Sequence, residues 1–474
     1  MFKRSPIKQF MFKRPTTLAS LLFAAAGLSF LIFQSCRKAE QIKEEDMNEW
    51  YSGGKQTVFI SGSSAFSQEF NGLSPQKSAL HDEGDKLFGA TFNSDPGQMY
   101  HGLGPIYNNV SCGSCHVGDG GGKAPNTGET LSSLLLRLSI PGENPYGGPL
   151  AVPMFGGQLQ PRAVYGVSFE SEVTVSYTEN PYVFPDGESY SLRQPQYTIT
   201  SPYTSLPGNV MVSPRIASPV FGMGLLEAIA ESDIIANADE NDDDHNGISG
   251  RPNYVWDISS GTYKIGRFGW KASQPSVIQQ SAGAFSEDMG ITNRLFPLES
   301  SNGQTQLTGP ADTHELADSA LYAISYYVRT LAVPGRRNAN DPDVKSGKRI
   351  FNSIGCSNCH VSMYKTEANM LFPELSNQTI FPYTDLLLHD MGAGLADNRP
   401  DNKASGTEWR TPPLWGIGLT KNVVGHTHFL HDGRARNFTE AIMWHGGEAV
   451  NVKNAFRDLS KTERDQLLKF LGSL

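Results

Sequence analysis

Three stretches of the chain place apolar residues at the three- and four-residue spacing of an amphipathic helix. Residues 317–332 are rich in tyrosine and leucine and stop just before Pro334, which cannot continue a helix. A shorter helical pattern covers residues 347–355. The last stretch begins with Ser460 and Glu463, which have the spacing of a capping box, and its leucines follow one face to the end of the chain. We predict a helix in each place.

The middle of the chain has a different pattern. Residues 172–177 and 196–200 alternate apolar and polar side chains, which predicts half-buried strands, and residues 222–231 predict the one clear helix there. The chain has 48 glycines and 29 prolines, so we expect long loops between short elements. The pattern as a whole predicts a mainly α fold with a loop-rich, partly β insertion at about 150–310.

Length and charge then bound the domain organisation. A chain of 474 residues is long enough for two or three domains. The polar stretch 335–342, with its two arginines, predicts a linker between an N-terminal domain at 48–333, which carries the insertion, and a C-terminal domain at 343–474. The formal net charge is -9, and an acidic surface argues against a nucleic-acid partner.

The N terminus predicts export. A basic start is followed by an apolar run and a cysteine, which predicts a lipoprotein-type signal peptide at 1–35 with Cys36 as the lipidated residue. The alternatives are an uncleaved anchor and a lone buried cysteine. The charged segment 36–47 predicts a solvated tether. We therefore expect the mature chain on the periplasmic side of a bacterial membrane, held there by a lipid anchor.

Two Cys-x-x-Cys-His motifs, at 112–116 and 356–360, carry the chemistry of the chain. Two thiols at this spacing can each add to one vinyl group of a haem, and the histidine that follows is then held under the iron as an axial ligand. Zinc ribbons and dithiol redox sites also use cysteine pairs, but the pairs of a ribbon usually lie about 15–20 residues apart. Here they are separated by about half the chain, and both carry the histidine. We predict two cytochrome c-like domains with covalently bound haem c, attached through Cys112, Cys115, His116, Cys356, Cys359 and His360.

An acidic loop offers a second type of site. Asp242, Asp244 and Asn246 place side-chain oxygens at alternate positions before the turning Gly247, which is a spacing that can surround calcium. A solvated acidic turn is the alternative, since the terminal glutamate of a complete EF-hand loop is not evident.

Several longer stretches resemble the MauG-like branch of the dihaem peroxidase superfamily. The clearest is Tyr-Thr-Asp-Leu-Leu-Leu-His-Asp-Met-Gly at 383–392, and the others lie at 155–160, 268–271, 409–415, 430–435 and 444–448. Together they are similar to the family of dihaem oxidoreductases, also called thiol oxidoreductases, over nearly all of the mature chain. With haem on four cysteines and lipid on Cys36, no thiol would remain for disulfide exchange, so the thiol name is doubtful on chemical grounds.

The resemblance implies different roles for the two haems. In the related peroxidases the C-terminal haem relays electrons, and the N-terminal haem meets the oxidant. The distal ligand of the relay haem lies fourteen residues after the histidine of a His-Asp-Gly motif and is usually methionine. Counting from His431 gives His445 in this chain. The resemblance therefore implies a relay haem with two histidine ligands, His360 and His445, and a lower potential than a His/Met haem.

The resemblance also implies an acid–base pair beside the N-terminal haem. The peroxidases carry a glutamine and, ten residues later, a glutamate that moves peroxide protons, and Gln160 and Glu170 have this spacing. A surface charge beside a strand is the alternative for Glu170. Other histidines that could act as ligands or as structural groups are His389, His426, His428 and His431.

Three functions fit these features. The first is a haem-dependent, peroxidase-like oxidoreductase that takes electrons from a small redox protein or a quinol-linked cytochrome. The second is a non-catalytic dihaem electron carrier, and the third is a haem oxygenase acting on an apolar substrate. The long insertion favours an enzyme, because a carrier needs only exposed haem edges.

Overall fold

The computed structural model describes residues 49–307 and 314–474. The predicted signal peptide, the lipidation site Cys36 and the tether 36–47 lie outside the described residues. Trp50–Leu474 form one compact unit, and the domain boundaries drawn from the sequence stay predictions. Within the described ranges, no helix has both the length and the apolar character that a membrane crossing would need.

Helices and strands are interleaved along the whole chain. The α-helices are α1 (Pro75–Gly89), α2 (Cys112–Cys115), α3 (Met223–Glu227), α4 (Glu231–Ile235), α5 (Val277–Met289), α6 (Asp318–Arg329), α7 (Pro342–Ser353), α8 (Thr420–Val424), α9 (Phe438–Trp444), α10 (Val450–Asp458) and α11 (Lys461–Ser473). The strands are β1 (Thr57–Val58), β2 (Ile106–Tyr107), β3 (Leu134–Glu143), β4 (Pro149–Leu150), β5 (Arg162–Ala163), β6 (Glu172–Val183), β7 (Ser189–Thr200), β8 (Met211–Ile216), β9 (Tyr254–Asp257), β10 (Thr262–Ile265), β11 (Val333–Pro334), β12 (Tyr364–Lys365), β13 (Thr379–Ile380), β14 (Leu388–Asp390) and β15 (Glu408–Arg410).

The prediction of a mainly α fold is wrong. The residues that the structure describes are 28% helical and 20% strand, and the strands form many small sheets. Of the two largest pairings, β6 with β7 lies within the predicted insertion, whereas β3 with β8 joins a strand that precedes the insertion to one within it. Both β6 and β7 continue beyond their predicted ends, because their antiparallel hydrogen-bond ladder runs from Glu172 with Thr200 to Val183 with Ser189.

Each Cys-x-x-Cys-His motif follows a helix that packs closely on a later helix. In the N-terminal half α1 packs on α6, and a Cβ added at Gly84 would lie 2.3 Å from the carbonyl oxygen of Ala323. In the C-terminal half α7 packs on α11, and a Cβ at Gly347 would lie 2.0 Å from the carbonyl oxygen of Gln466. Glycine is needed at both crossings because the backbones approach too closely for any side chain.

The hairpin β6–β7 joins the two halves. Its strands pair from Glu172 with Thr200 to Val183 with Ser189, and its turn reaches the C-terminal helices. There Phe184 packs edge-on against Phe456, and the buried Arg464 pairs with Asp186 and Glu188 at 2.5 and 2.8 Å. The hairpin therefore packs across the helices of the C-terminal half of the chain.

Candidate functional site

The first cysteine motif lines an apolar cavity, called here the first cavity. Ser111 caps α2 by accepting a hydrogen bond from the amide of Ser114, and this fixes the turn that carries Cys112 and Cys115. Both thiols and the ring of His116 face the cavity. His116 Nδ1 donates to the carbonyl oxygen of Ser218 at 2.7 Å, which fixes the orientation of the ring.

The second cysteine motif repeats this arrangement in a second cavity. Gly355, at φ 96°, ends the preceding helix and starts a short turn over Cys356–Asn358. Cys356, Cys359 and His360 line the cavity. His360 Nδ1 donates to the carbonyl oxygen of Tyr383 at 2.9 Å, so its Nε2 is free.

A second imidazole faces the second cavity. His445 lies just after α9, and its Nδ1 donates to the carbonyl oxygen of Ala441 at 2.8 Å. Burial, with a smaller contribution from the nearby His445, lowers the pKa of His360 to about 4. Burial lowers the pKa of His445 as well. Both rings are therefore neutral imidazoles with a free Nε2, which is the form that binds a metal.

The other histidines at this cavity differ in how their ring nitrogens are used. His389 bonds to Asp385 and to Glu448, each at 2.8 Å. Burial lowers the pKa of His389, but the two carboxylates outweigh it and raise the pKa well above 6.5, so neither nitrogen is free for iron. His431 is stacked on Trp409 with ring centroids 3.9 Å apart.

His431 and His428 keep one nitrogen engaged by the backbone. His431 Nδ1 donates to the carbonyl oxygen of Pro214, and its buried Nε2 has no partner among the described residues. His428 Nδ1 accepts from the amide of Ala124 at 2.9 Å. His431 is thus a second candidate donor in the second cavity, while His426 is not among the residues that line it.

Gln160 and Glu170 lie together, as their predicted pairing requires. The amide of Gln160 donates to Glu170 Oε2 at 2.5 Å, and both side chains are buried. Burial raises the pKa of Glu170 to about 8. Neither residue lines the first cavity. Gln160 Nε2 instead donates to the carbonyl oxygen of Glu287 at 2.6 Å, next to Asp288, which does line it. Their role as an acid–base pair stays a prediction.

Asp288 is a half-buried carboxyl that sequence patterns did not single out. It lies on the face of α5 that lines the first cavity, together with Gln280, Ser281, Ala284 and Phe285. Gln158 donates to its Oδ1 at 2.7 Å. Burial raises the pKa of Asp288 to about 6. The helical spacing of these positions was available in the sequence, but only the fold shows that this face meets the cysteine motif.

The acidic loop brings three carboxylates together. Oxygens of Asp239, Asp242 and Asp244 lie within 4.8 Å of one another, whereas Asn246 donates its side-chain amide to Asp244. Backbone amides of the same loop bond to all three carboxylates, which satisfies part of their charge without a cation. Calcium binding there stays a prediction.

The two cavities share a wall, formed by Pro219, Phe221, Trp270, Arg410, Pro412, Pro413 and Trp415. Trp270 and Arg410 come from two of the stretches that resemble the dihaem family, and the amide of Arg410 donates to the carbonyl oxygen of Trp270 at 2.9 Å. The donor sets fit covalently attached haem, because each apolar cavity offers two thiols and an imidazole held by its Nδ1. They do not fit a zinc ribbon, because the two cysteine pairs line different cavities.

Comparison with known proteins gives a family match and matches to several solved structures. The family model described as "Di-haem oxidoreductase, putative peroxidase" matches residues 47–474. Hydrazine synthase of Kuenenia stuttgartiensis, solved under xenon pressure, is similar over 34% of this chain and 57% of its own, at 20% identity and a TM-score of 0.23. A MauG-like protein associated with microbial copper homeostasis is similar over 52% of this chain and 89% of its own, at 17% identity and a TM-score of 0.25. At these values neither structure informs the function. No curated protein matches.

Proposed function

This chain belongs to the di-haem oxidoreductase family, as its sequence motifs indicated, and from that membership we propose that it is an exported, peroxidase-like enzyme with two covalently bound haem c groups. The haem of the N-terminal half is the catalytic group, and the haem of the C-terminal half relays electrons to it. Haem iron supplies the electron transfer and the peroxide chemistry in such a protein. Cys112 and Cys115 attach the first haem, and Cys356 and Cys359 attach the second.

One observation carries the proposal, namely that the two cavities offer different numbers of imidazoles. Among the described residues His116 is the only histidine that lines the first cavity. The second cavity has His360 and His445, each with Nδ1 bonded to a backbone carbonyl and Nε2 free. A group with two histidine ligands is closed to substrate and suits electron relay, whereas a group with one can keep a position open.

Two carboxyls, one at the first cavity and one behind it, support proton handling there. Asp288 lines the cavity, and Glu170 lies behind it through Gln160 and the backbone of Glu287. Burial raises the pKa of both carboxyls toward the neutral range, where an acid can both hold and release a proton. In this proposal Glu170 stores the proton and Gln160 fixes its orientation.

The surroundings of the enzyme are part of the proposal. The signal peptide and Cys36 would anchor it to a membrane on the periplasmic side, which agrees with haem c being attached outside the cytoplasm. A small redox protein or a quinol-linked cytochrome would supply electrons, and calcium at Asp242, Asp244 and Asn246 would stabilise the acidic loop. Each of these points rests on the sequence.

The test uses the full chain produced with a haem-attachment machinery. Intact mass should show two haem additions, and the half-reduced protein should be reoxidised by hydrogen peroxide over many cycles with an artificial electron donor. Two bound haems without reaction toward peroxide would make the chain an electron carrier instead. A chain that acquires no haem would overturn the proposal entirely.

A further inference from the structure

A buried arginine in the wall between the cavities has no carboxylate partner. Only 7% of Arg410 is exposed. Its Nε donates to the carbonyl oxygen of Gly269 and its Nη1 to that of Thr411, both at 3.0 Å. Among residues 49–307 and 314–474, no hydrogen bond reaches its Nη2 and no carboxylate forms an ion pair with it. The direct partners of this charge among the described residues are therefore carbonyl dipoles.

Asp385 is the carboxylate whose charge acts on Arg410, and both of its oxygens already accept other hydrogen bonds. The charge of Asp385 attracts Arg410 from a distance, but Asp385 Oδ2 is bonded to His389 at 2.8 Å and Oδ1 accepts from the amide of Leu387. Burial lowers the pKa of Arg410 to about 10, which reflects how poorly its charge is compensated. A buried charge normally has a partner, because taking an ion out of water costs more than dipoles usually return.

A second buried arginine, Arg267, lines the first cavity but not the second. Arg267 is 7% exposed and donates through Nη1 to the carbonyl oxygens of Leu226 and Ile229. It too has no ion pair within the described part of the chain. Both arginines therefore line the first cavity, together with Cys112, Cys115 and His116, and neither is paired with a carboxylate of the described residues.

A haem attached to two thiols has its propionate groups on the opposite edge of the porphyrin. A guanidinium recognises a carboxylate through two parallel N–H donors, and Arg410 keeps Nη2 free for such a bond. We propose that Arg410 binds a haem propionate and, because it lies in the wall shared by both cavities, sets the reduction potentials of both haems. Arg267 binds a propionate of the first haem alone. This inference rests on the proposed dihaem function.

The sign of the effect follows from electrostatics. A reduced haem carries one positive charge fewer than an oxidised haem, so a nearby guanidinium favours the reduced form. Removing the guanidinium also leaves a propionate unpaired, and the unpaired negative charge favours the oxidised haem. Replacing Arg410 by glutamine should therefore lower both midpoint potentials, and Arg410→Lys, which keeps the charge but loses the fork, should lower them less.

The experiment is a spectroelectrochemical titration of the dihaem protein, with haem content measured in parallel. Arg193→Gln is the matched control, because Arg193 is also 7% exposed and also donates to two carbonyl oxygens, those of Gly433 and Arg434, but lines neither cavity. We expect negative shifts of both haems in Arg410→Gln and none in Arg193→Gln. Unchanged potentials in Arg410→Gln, or equal shifts in the control, would overturn the inference.

A second readout covers the case in which Arg410→Gln fails to mature. The propionate carboxylate band in the redox-difference infrared spectrum should move in Arg410→Lys and stay in place in Arg193→Lys. An unmoved band in Arg410→Lys would overturn the inference. A wild-type chain without haem would instead refute the proposed function, so the two failures are distinguishable.

Discussion

Glu170 should make the stability of this protein depend on pH in a predictable direction. Its carboxyl is fully buried, and burial raises its pKa from 4.5 to about 8. In the unfolded chain the same carboxyl loses its proton near 4.5, so between that pH and about 8 unfolding releases a proton that the folded state holds. The unfolding free energy of the wild type should therefore fall as pH rises through this window.

The variant Glu170→Gln has no titratable group at this position, but its side chain has nearly the same shape as the protonated carboxyl. The glutamine oxygen can accept from the backbone amide of Gln160, as the Glu170 carboxyl does. The pKa change from 4.5 to about 8 corresponds to about 5 kcal/mol at most. The unfolding free energy of the wild type minus that of Glu170→Gln should fall by up to that amount across this pH window. Below and above the window the difference should not change with pH.

Urea unfolding followed by circular dichroism, at several values between about pH 4 and about pH 9, measures this difference directly. Groups other than Glu170 titrate in both proteins and cancel. Glu172→Gln is the control, because Glu172 is exposed, and its difference from the wild type should stay flat. A flat difference for Glu170→Gln as well would refute the claim that this carboxyl is neutral in the folded protein.

Three further perturbations test other parts of the molecule. His445→Ala should open the sixth position of the second haem and convert its low-spin absorption spectrum, whereas His431→Ala should leave the low-spin spectrum in place; the opposite pattern would assign the ligand to His431. Lys271→Met should lower the unfolding free energy, measured with urea, by roughly 3–5 kcal/mol. The buried Lys271 Nζ donates to Asp397, Arg399 and Ser405 at 2.7–2.8 Å, and its removal leaves a buried carboxylate uncompensated. A decrease below about 1 kcal/mol would contradict this. Phe184→Ala should cost about 3 kcal/mol and expose the hairpin β6–β7 to protease, whereas Val183→Ala, at a residue that is 64% exposed, should do neither.

The family could be predicted from the sequence because its chemistry is local. Each Cys-x-x-Cys-His motif contains the attachment residues within one turn, and the longer motifs are contiguous. The spacing from His431 to His445 pointed to a residue that does line the second cavity, with its Nε2 free. Short-range patterns were sufficient for these features because the residues concerned lie close together in the sequence.

Features that depend on distant contacts could not be predicted. Arg410, Trp270 and Phe221 meet in one wall only after folding, and no spacing in the sequence relates them. The fold class was wrong for a related reason, since the β3–β8 pairing joins Leu134, which precedes the predicted insertion, to Ile216 within it. His389 was a candidate ligand, and only the tertiary contacts with Asp385 and Glu448 show that both its nitrogens are engaged.

The central claim is that two covalently bound haems occupy unequal sites, and electron paramagnetic resonance of the fully oxidised protein tests it most directly. The different imidazole sets predict one high-spin ferric signal from the first haem and one low-spin signal from the second. On adding hydrogen peroxide to the half-reduced protein, the high-spin signal should change. Two low-spin signals that ignore peroxide, or a protein without ferric haem, would contradict the account.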